Sequence, residues 1–151
     1  MNISIVEKDI KELKLIKTLW EKLNCIHFDK SVYFKDKFKE FTFDKRMEHI
    51  YEKAQKGIIK FEMILDNDNG NYVAYCLSSI ENNLGEIESI FVEDEYRMLR
   101  LGDKLMKNVL NWFESNKTTN ISINVVYAND DVLPFYERYG FHVGNYILKR
   151  N

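Results

Sequence analysis

The stretch EIESIFVEDEYRMLRLG, residues 86–102, decides the fold. It alternates and then turns apolar from Glu86 to Val92, breaks at the acidic turn Glu93-Asp94-Glu95, and passes through Tyr96-Arg97-Met98-Leu99-Arg100 to Leu101-Gly102 and an amphipathic helix. A strand, a tight basic loop and a helix start, in that order, build an anion site. The first-turn N–H groups of a helix have no intrahelical acceptor, and the helix dipole favours negative charge beside them. With the helix read as opening inside this loop, Arg97, Arg100, Lys104 and Lys107 form one basic stripe along its face. The implied ligand carries phosphate.

Outward from this centre, Asn2 to Val6 alternate as a short strand, and Leu13, Ile16, Trp20 and Leu23 recur at helical spacing, predicting a helix from Asp9 to about Asn24. Cys25 to Phe43 is irregular and aromatic. Thr42 or Asp44 caps a second helix that ends near Gly57. Ile58–Leu65 and Tyr72–Ile80 read as strands around the turn Asp66–Asn71, and Leu84-Gly85 turns the chain into the strand that ends at Val92. The next helix buries Leu101, Leu105, Val109 and Phe113, flanked by Met106, Leu110 and Trp112. A strand over Ile121–Tyr127, a short helix after Asn129-Asp130-Asp131 that ends at Gly140, and a last strand over Phe141–Lys149 complete the order β-α-α-β-β-β-α-β-α-β. That order predicts an α/β (α+β) fold: a mixed, mostly antiparallel sheet with helices on both faces.

The 151 residues fit a single domain, 1–151. A charged fraction of 30% balanced to a net charge of −2 argues against nucleic-acid binding through bulk positive charge. No apolar run is long enough for a signal peptide or a membrane span. Cys25 and Cys76 stand apart without metal-ligand spacing, so they read as small core thiols of a reduced, cytoplasmic protein. His27, His49 and His142 share no spacing and read as structural or surface residues, with only His27 placed to touch substrate.

Two motifs resemble the GNAT superfamily of acetyl-CoA-dependent N-acetyltransferases, and the element order is similar over nearly the whole chain. The family's pyrophosphate loop (Arg or Gln, two residues, Gly, one residue, Gly or Ala) has its counterpart in Arg97-Met98-Leu99-Arg100-Leu101-Gly102. The second motif falls on Asn129, Leu133, Phe135, Tyr136, Glu137, Gly140 and Phe141. Arg100 departs from the pattern, standing where the loop has its first glycine. A Cβ there is accommodated if the residue has helical φ and ψ, and its guanidinium can reach a phosphate oxygen. A Walker pattern and a G-x-G-x-x-G are both missing, which counts against a nucleotide-binding enzyme of another fold.

The resemblance implies an acetyl-CoA site over Arg97, Met98, Leu99, Arg100, Leu101, Gly102 and Asp103, with N–H groups near Phe91 and Val92 polarising the thioester carbonyl. Asn129 binds the pantetheine arm, caps its helix, or does both. Glu86 and Glu88, two residues apart, share one strand face and are candidates for the general base. The base is needed because a free amine, with a pKa of about 10, is mostly protonated at neutral pH. Tyr136 is implied as the proton donor to the departing thiolate, with Phe135 and Tyr139 serving the packing instead.

The function expected is acetyl transfer from acetyl-CoA to a primary amine by direct attack in a ternary complex, with no metal required. Glu86, Glu88 and Glu93 to Glu95 hint at a cationic small-molecule or peptide acceptor. Nucleic acid and membrane are not expected partners. After Phe141 only ten residues follow, so the closing strand is expected to be single or completed by a second subunit, in a monomer or a homodimer. The other class kept open is a catalytically silent acyl-CoA-binding sensor or partner module, which a thiol-release assay separates from a transferase.

Overall fold

Five strands hydrogen-bond in chain order into one sheet: β1 (Ile3–Glu7), β2 (Ile58–Asp66), β3 (Asn71–Glu81), β4 (Leu84–Val92) and β5 (Asn120–Ile123). The computed structural model describes residues 2–151. Neighbouring strands are antiparallel except β4 and β5, which are parallel and joined by a helical crossover. The helices are α1 (Lys17–Lys30), α2 (Lys35–Glu40), α3 (Phe43–Lys56), α4 (Leu101–Ser115) and α5 (Leu133–Glu137). The fold is the mixed, mostly antiparallel α/β class that the pattern predicts.

Strand alternation builds two cores. Phe61, Met63, Tyr75, Leu77 and Phe91 face α1 and α3, where Trp20, Phe43, Met47 and Ile50 close one layer. Ile64, Ala74, Cys76 and Ile87 face α4, where Leu101, Leu105, Val109 and Phe113 close the other. Thr42 caps α3, its side chain accepting from the N–H of Lys45.

Several boundaries differ from the sequence reading for definite reasons. The first helical segment opens as a 3₁₀ stretch, Ile10–Ile16, and α1 then runs past Asn24 to Lys30. The aromatic segment expected to be irregular thus contains the end of α1 and all of α2. The β3–β4 turn is Asn82-Asn83, both at positive φ, while Leu84-Gly85 already belongs to β4. Two Asn residues tolerate the left-handed conformations of such a hairpin turn. The strand expected over Ile121–Tyr127 pairs only from Asn120 to Ile123. The helix after Asn129 is a 3₁₀ turn, Asp130–Val132, followed by α5, which stops at Glu137 before Gly140 turns the chain at φ 86°.

The last strand, expected over Phe141–Lys149, is not formed, because no neighbouring strand pairs with it. A β-prone segment becomes a strand only when a ladder takes up its backbone groups. Cys25, read as a core thiol, is exposed, whereas Cys76 is buried and its thiol pKa is pushed up to about 12 by that burial.

Candidate active site

The pairing register creates the site. β5 follows β4 only along Leu84–Ile87, so from Glu88 to Val92 one edge of β4 is free of strand partners. In an antiparallel ladder the N–H and C=O of one residue point to the same side, and those of the next residue to the other. Glu93 donates to the Val73 carbonyl at 2.8 Å, so Phe91, two residues earlier, also points at β3. Ile90 and Val92 then direct their N–H and C=O groups to the open edge. The Val92 carbonyl accepts from Arg97 Nε at 3.1 Å on that side. Of the expected pair Phe91 and Val92, the ladder uses Phe91 and leaves Val92, with Ile90 as its open-edge companion.

A β-bulge lies beside this edge. Leu77 pairs with Ser89 but Ser78 pairs with Ile87, so Glu88 is an inserted residue. Strict alternation would send Glu86 and Phe91 to opposite faces. The insertion lets both face α1 and α3.

Glu86 and Glu88 do share that face, in different surroundings. The Glu88 side chain is 1% exposed and bonded to Arg46 at 3.1 Å, Lys53 at 2.5 Å and Ser79 Oγ at 2.5 Å. Arg46 also donates to the Glu88 carbonyl at 2.8 Å, clamping the bulge by backbone and side chain together. Burial pushes the Glu88 carboxyl up, but hydrogen bonds from Lys53 and Ser79 and the charge of Arg46 outweigh it and leave it below the usual range. A carboxylate so stabilised is a poor proton acceptor. Glu86 is partly exposed, meets Lys53 at 3.0 Å and Asn124 at 3.4 Å, and lines a cavity.

At the top of β4 the loop Arg97–Arg100 leads into α4. The helix begins only at Leu101, so Arg97 and Arg100 lie on the loop and only Lys104 and Lys107 on the helix; the continuous basic stripe is not formed. Met98 and Arg100 have positive φ, 71° and 60°. Arg100 is therefore left-handed, not helical, and keeps the backbone shape that its glycine counterpart would supply. Among the described residues, the N–H groups of Met98 to Asp103 make no hydrogen bond, and the ladder of α4 starts with Lys104 donating to the Arg100 carbonyl. Six free donors in a loop with left-handed turns make a nest at a helix N-terminus, the kind of arrangement that suits an anion. Tyr96 moors the loop by donating to Asp66 at 2.6 Å. Arg97 folds back over the Phe91 ring and pairs with Asp94 at 3.0 Å.

The second motif sits against this loop. Phe135 packs on Gly102 so closely that a Cβ there would lie 3.1 Å from the ring, which explains the glycine by packing. Asp103 accepts from Arg138 at 2.5 Å and from Tyr139, tying α4 to the turn after α5; only its N–H remains for a ligand. Tyr136 packs on the α4-side core together with Phe135 and Tyr139 rather than apart from them. Burial pushes its phenol up to about 12. Among the described residues the hydroxyl has no protein partner and no buried side-chain oxygen lacks one, so the hydroxyl is open to solvent or a ligand. Asn129 is buried and makes no capping bond, so the capping role is not taken up and its amide is free. His27 is held neutral by burial, its pKa lowered to about 4, and it lies against Phe38 with ring centroids 5.8 Å apart.

Arg46, Lys53 and Ser79, which surround Glu88, were not legible as site residues. One signal was available: Arg46 and Lys53 are two helical turns apart, so they share one face of an amphipathic helix.

A sheet split between two parallel strands, with an anion nest at the mouth of the split, defines an acyltransferase-type architecture. The model of the acetyltransferase (GNAT) family matches residues 19–141. The chain belongs to the GNAT acetyltransferase family. No curated protein sequence matches it. Among solved structures, it is similar to PaiA N-acetyltransferase from Thermoplasma acidophilum in complex with coenzyme A, with 16% identity over 97% of this chain and 94% of that one and a TM-score of 0.76. A putative acetyl transferase from Pyrococcus furiosus is 18% identical over 99% of both chains, TM-score 0.73. The aminoglycoside 6'-N-acetyltransferase AAC(6')-Ih from Acinetobacter baumannii is 16% identical over 99% and 97%, TM-score 0.67. At these identities the likeness is one of fold. Among the described residues no helix is long and apolar enough to cross a membrane.

Proposed function

We propose that this protein transfers the acetyl group of acetyl-CoA to a primary amine by direct attack in a ternary complex. The observation that carries the reading is the nest of six free N–H groups, Met98 to Asp103, opening beside the unpaired edge of β4. The nest fits a pyrophosphate because it supplies aligned donors without neutralising side chains between them. The loop Arg97, Met98, Leu99, Arg100, Leu101, Gly102 and Asp103 would hold the phosphates. Val92 and Ile90 would bond the extended arm and its carbonyl from the open edge, and Asn129 would contact the arm from the opposite lip. The resemblance to a coenzyme A complex supports this choice of ligand.

Glu86 acts as the general base and Glu88 holds the bulge that aims the edge. Tyr136 acts on the leaving sulfur. A phenol near 12 facing a thiol near 8.5 makes full proton transfer uphill by roughly 5 kcal/mol, so a hydrogen bond to the developing thiolate is the contribution it supports. The acceptor is an amine; an aminoglycoside acetyltransferase among the similar structures is consistent with a small polar one.

The test is a thermal-shift series followed by thiol release. Coenzyme A and acetyl-CoA should raise the melting temperature, with ATP and NAD at matched concentration doing much less. Equal shifts from all four would reduce the nest to a generic anion site. A specific coenzyme A shift with no thiol released across an amine panel would favour a silent binding module.

A further inference from the structure

We propose that the acceptor binds in the cavity at the foot of the β4–β5 junction, and that it is a small amine bearing several hydroxyl groups and no phosphate, of the amino-sugar kind. The proposal rests on the transferase reading above.

The cavity, about 380 Å³, is lined by Lys53, Ser79, Glu81, Glu86, Asn120 and Ser122 among others. Register explains why they meet. Ser79 lies opposite Glu86, Leu84 opposite Asn120, and Glu86 opposite Ser122, so these residues occupy the α3 side of the sheet. Ile121 and Ile123 of β5 turn to the other side and pack on the α4 core. The α3-side core includes no residue of β5, so this polar strip is floored by the sheet, bounded by Lys53 of α3, and open beyond.

Its chemistry selects the ligand. The Lys53 ammonium is held by Glu86 at 3.0 Å and Glu88 at 2.5 Å, and is therefore not free to bind a phosphate. Glu81 has no ion pair among the described residues, so the lining is negative and favours an ammonium over a phosphorylated group. Asn120 and Ser122 make no side-chain hydrogen bond among the described residues, which leaves an amide and a hydroxyl to meet ligand hydroxyls. The volume falls at the small end of ligand sites, which run from about 300 to 1,000 Å³. Glu86, the proposed base, lines the same cavity.

Two of the three carboxylates in the acidic turn that hinted at a cationic acceptor are already paired. Glu93 pairs with Lys22 at 2.6 Å and Asp94 with Arg97 at 3.0 Å. Glu95 stays exposed on its own among the described residues, and the negative charge set among hydrogen-bonding groups is that of the cavity, which suits a compact hydroxylated amine better than an extended polyamine.

The experiment is calorimetric titration of glucosamine, glucosamine 6-phosphate, spermidine and phenethylamine into coenzyme A-saturated protein. Glucosamine should bind tightest. Asn120→Leu and Ser122→Val, both on the exposed strand face, should each weaken it by roughly three- to tenfold, the scale of one lost hydrogen bond, with coenzyme A affinity unchanged. Tighter binding of glucosamine 6-phosphate, spermidine or phenethylamine would overturn the proposal. So would no binding by any probe, or indifference of glucosamine to both substitutions. Failure of the transferase reading shows separately. If glucosamine binds as expected but acetyl-CoA releases no thiol, the site stands without the reaction. If the protein takes no coenzyme A, the same titration on the free protein decides the site alone.

Discussion

Arg100 holds φ at 60° at the entrance to α4, in a region where a side chain costs about 1–2 kcal/mol and glycine costs nothing sterically. The backbone shape of the loop is thus retained without the glycine, and the strain is tolerated beside the six free N–H groups. Arg100→Gly relieves that strain but gives the unfolded chain more freedom, worth about 0.5–1 kcal/mol in the opposite direction. The expected net effect is a small gain, up to about 1 kcal/mol, read in denaturant melts. Coenzyme A binding should nevertheless weaken, and its dependence on salt should become shallower, because a cation at the nest is lost. Tighter binding in the glycine variant would show instead that the side chain obstructs the loop.

At the scale of the element, the bulge in β4 divides the work of two carboxylates. Glu88→Gln leaves Arg46 and Lys53 facing a neutral amide in a buried cluster. Breaking a fully buried pair costs about 3–5 kcal/mol; both cations here keep some solvent contact, so roughly 2 kcal/mol is expected. The wild-type contribution has a definite pH window. The folded carboxyl lies below its usual value, so the stabilisation is complete above the unfolded pKa of about 4.3 and is lost as pH falls through the folded one. Glu86→Gln, at a partly exposed pair, should cost less than about 1 kcal/mol but lower turnover by roughly 10²-fold. Melting curves and acetyl transfer measured on both variants check this division, and it collapses if Glu88→Gln keeps full stability while losing turnover alone.

The sequence shows this element partly. Glu86, Ile87 and Glu88 announce alternation, and the apolar run Ile90-Phe91-Val92 breaks it, which is the trace a bulge leaves. What lies outside any local pattern is the partner set, since Arg46, Lys53 and Ser79 come from two other elements. The Phe91–Val92 N–H pair needed the ladder parity to be divided, and the left-handed loop at Met98 and Arg100 needed backbone angles that no side chain there announces. The Asn129–Phe141 motif, by contrast, meets the loop by direct contact: Phe135 packs on Gly102, and Arg138 pairs with Asp103.

At the scale of the whole molecule, the segment after α5 is the region least accounted for by burial. Val143, Tyr146, Ile147 and Leu148 are 57%, 78%, 72% and 94% exposed, and none of them lies in a strand. Asn151 reaches the Tyr33 carbonyl at 3.2 Å, which brings the segment to a second exposed group where Tyr33 and Tyr127 lie with ring centroids 6.3 Å apart. Exposed apolar side chains favour association, and β5 is an edge strand of the sheet with unpaired backbone groups. The expected outcome is self-association that grows with protein concentration, seen by sedimentation velocity. The paired substitutions Ile147→Asp and Leu148→Asp should shift the protein toward monomer, because each places a charge where apolar contact is needed. Neither residue belongs to the nest or to β4, so the coenzyme A thermal shift should survive in the doubly substituted protein. A wild type that sediments as a monomer at every accessible concentration would show that the exposed segment drives no assembly, and a lost coenzyme A shift in the variant would tie the segment to the site instead.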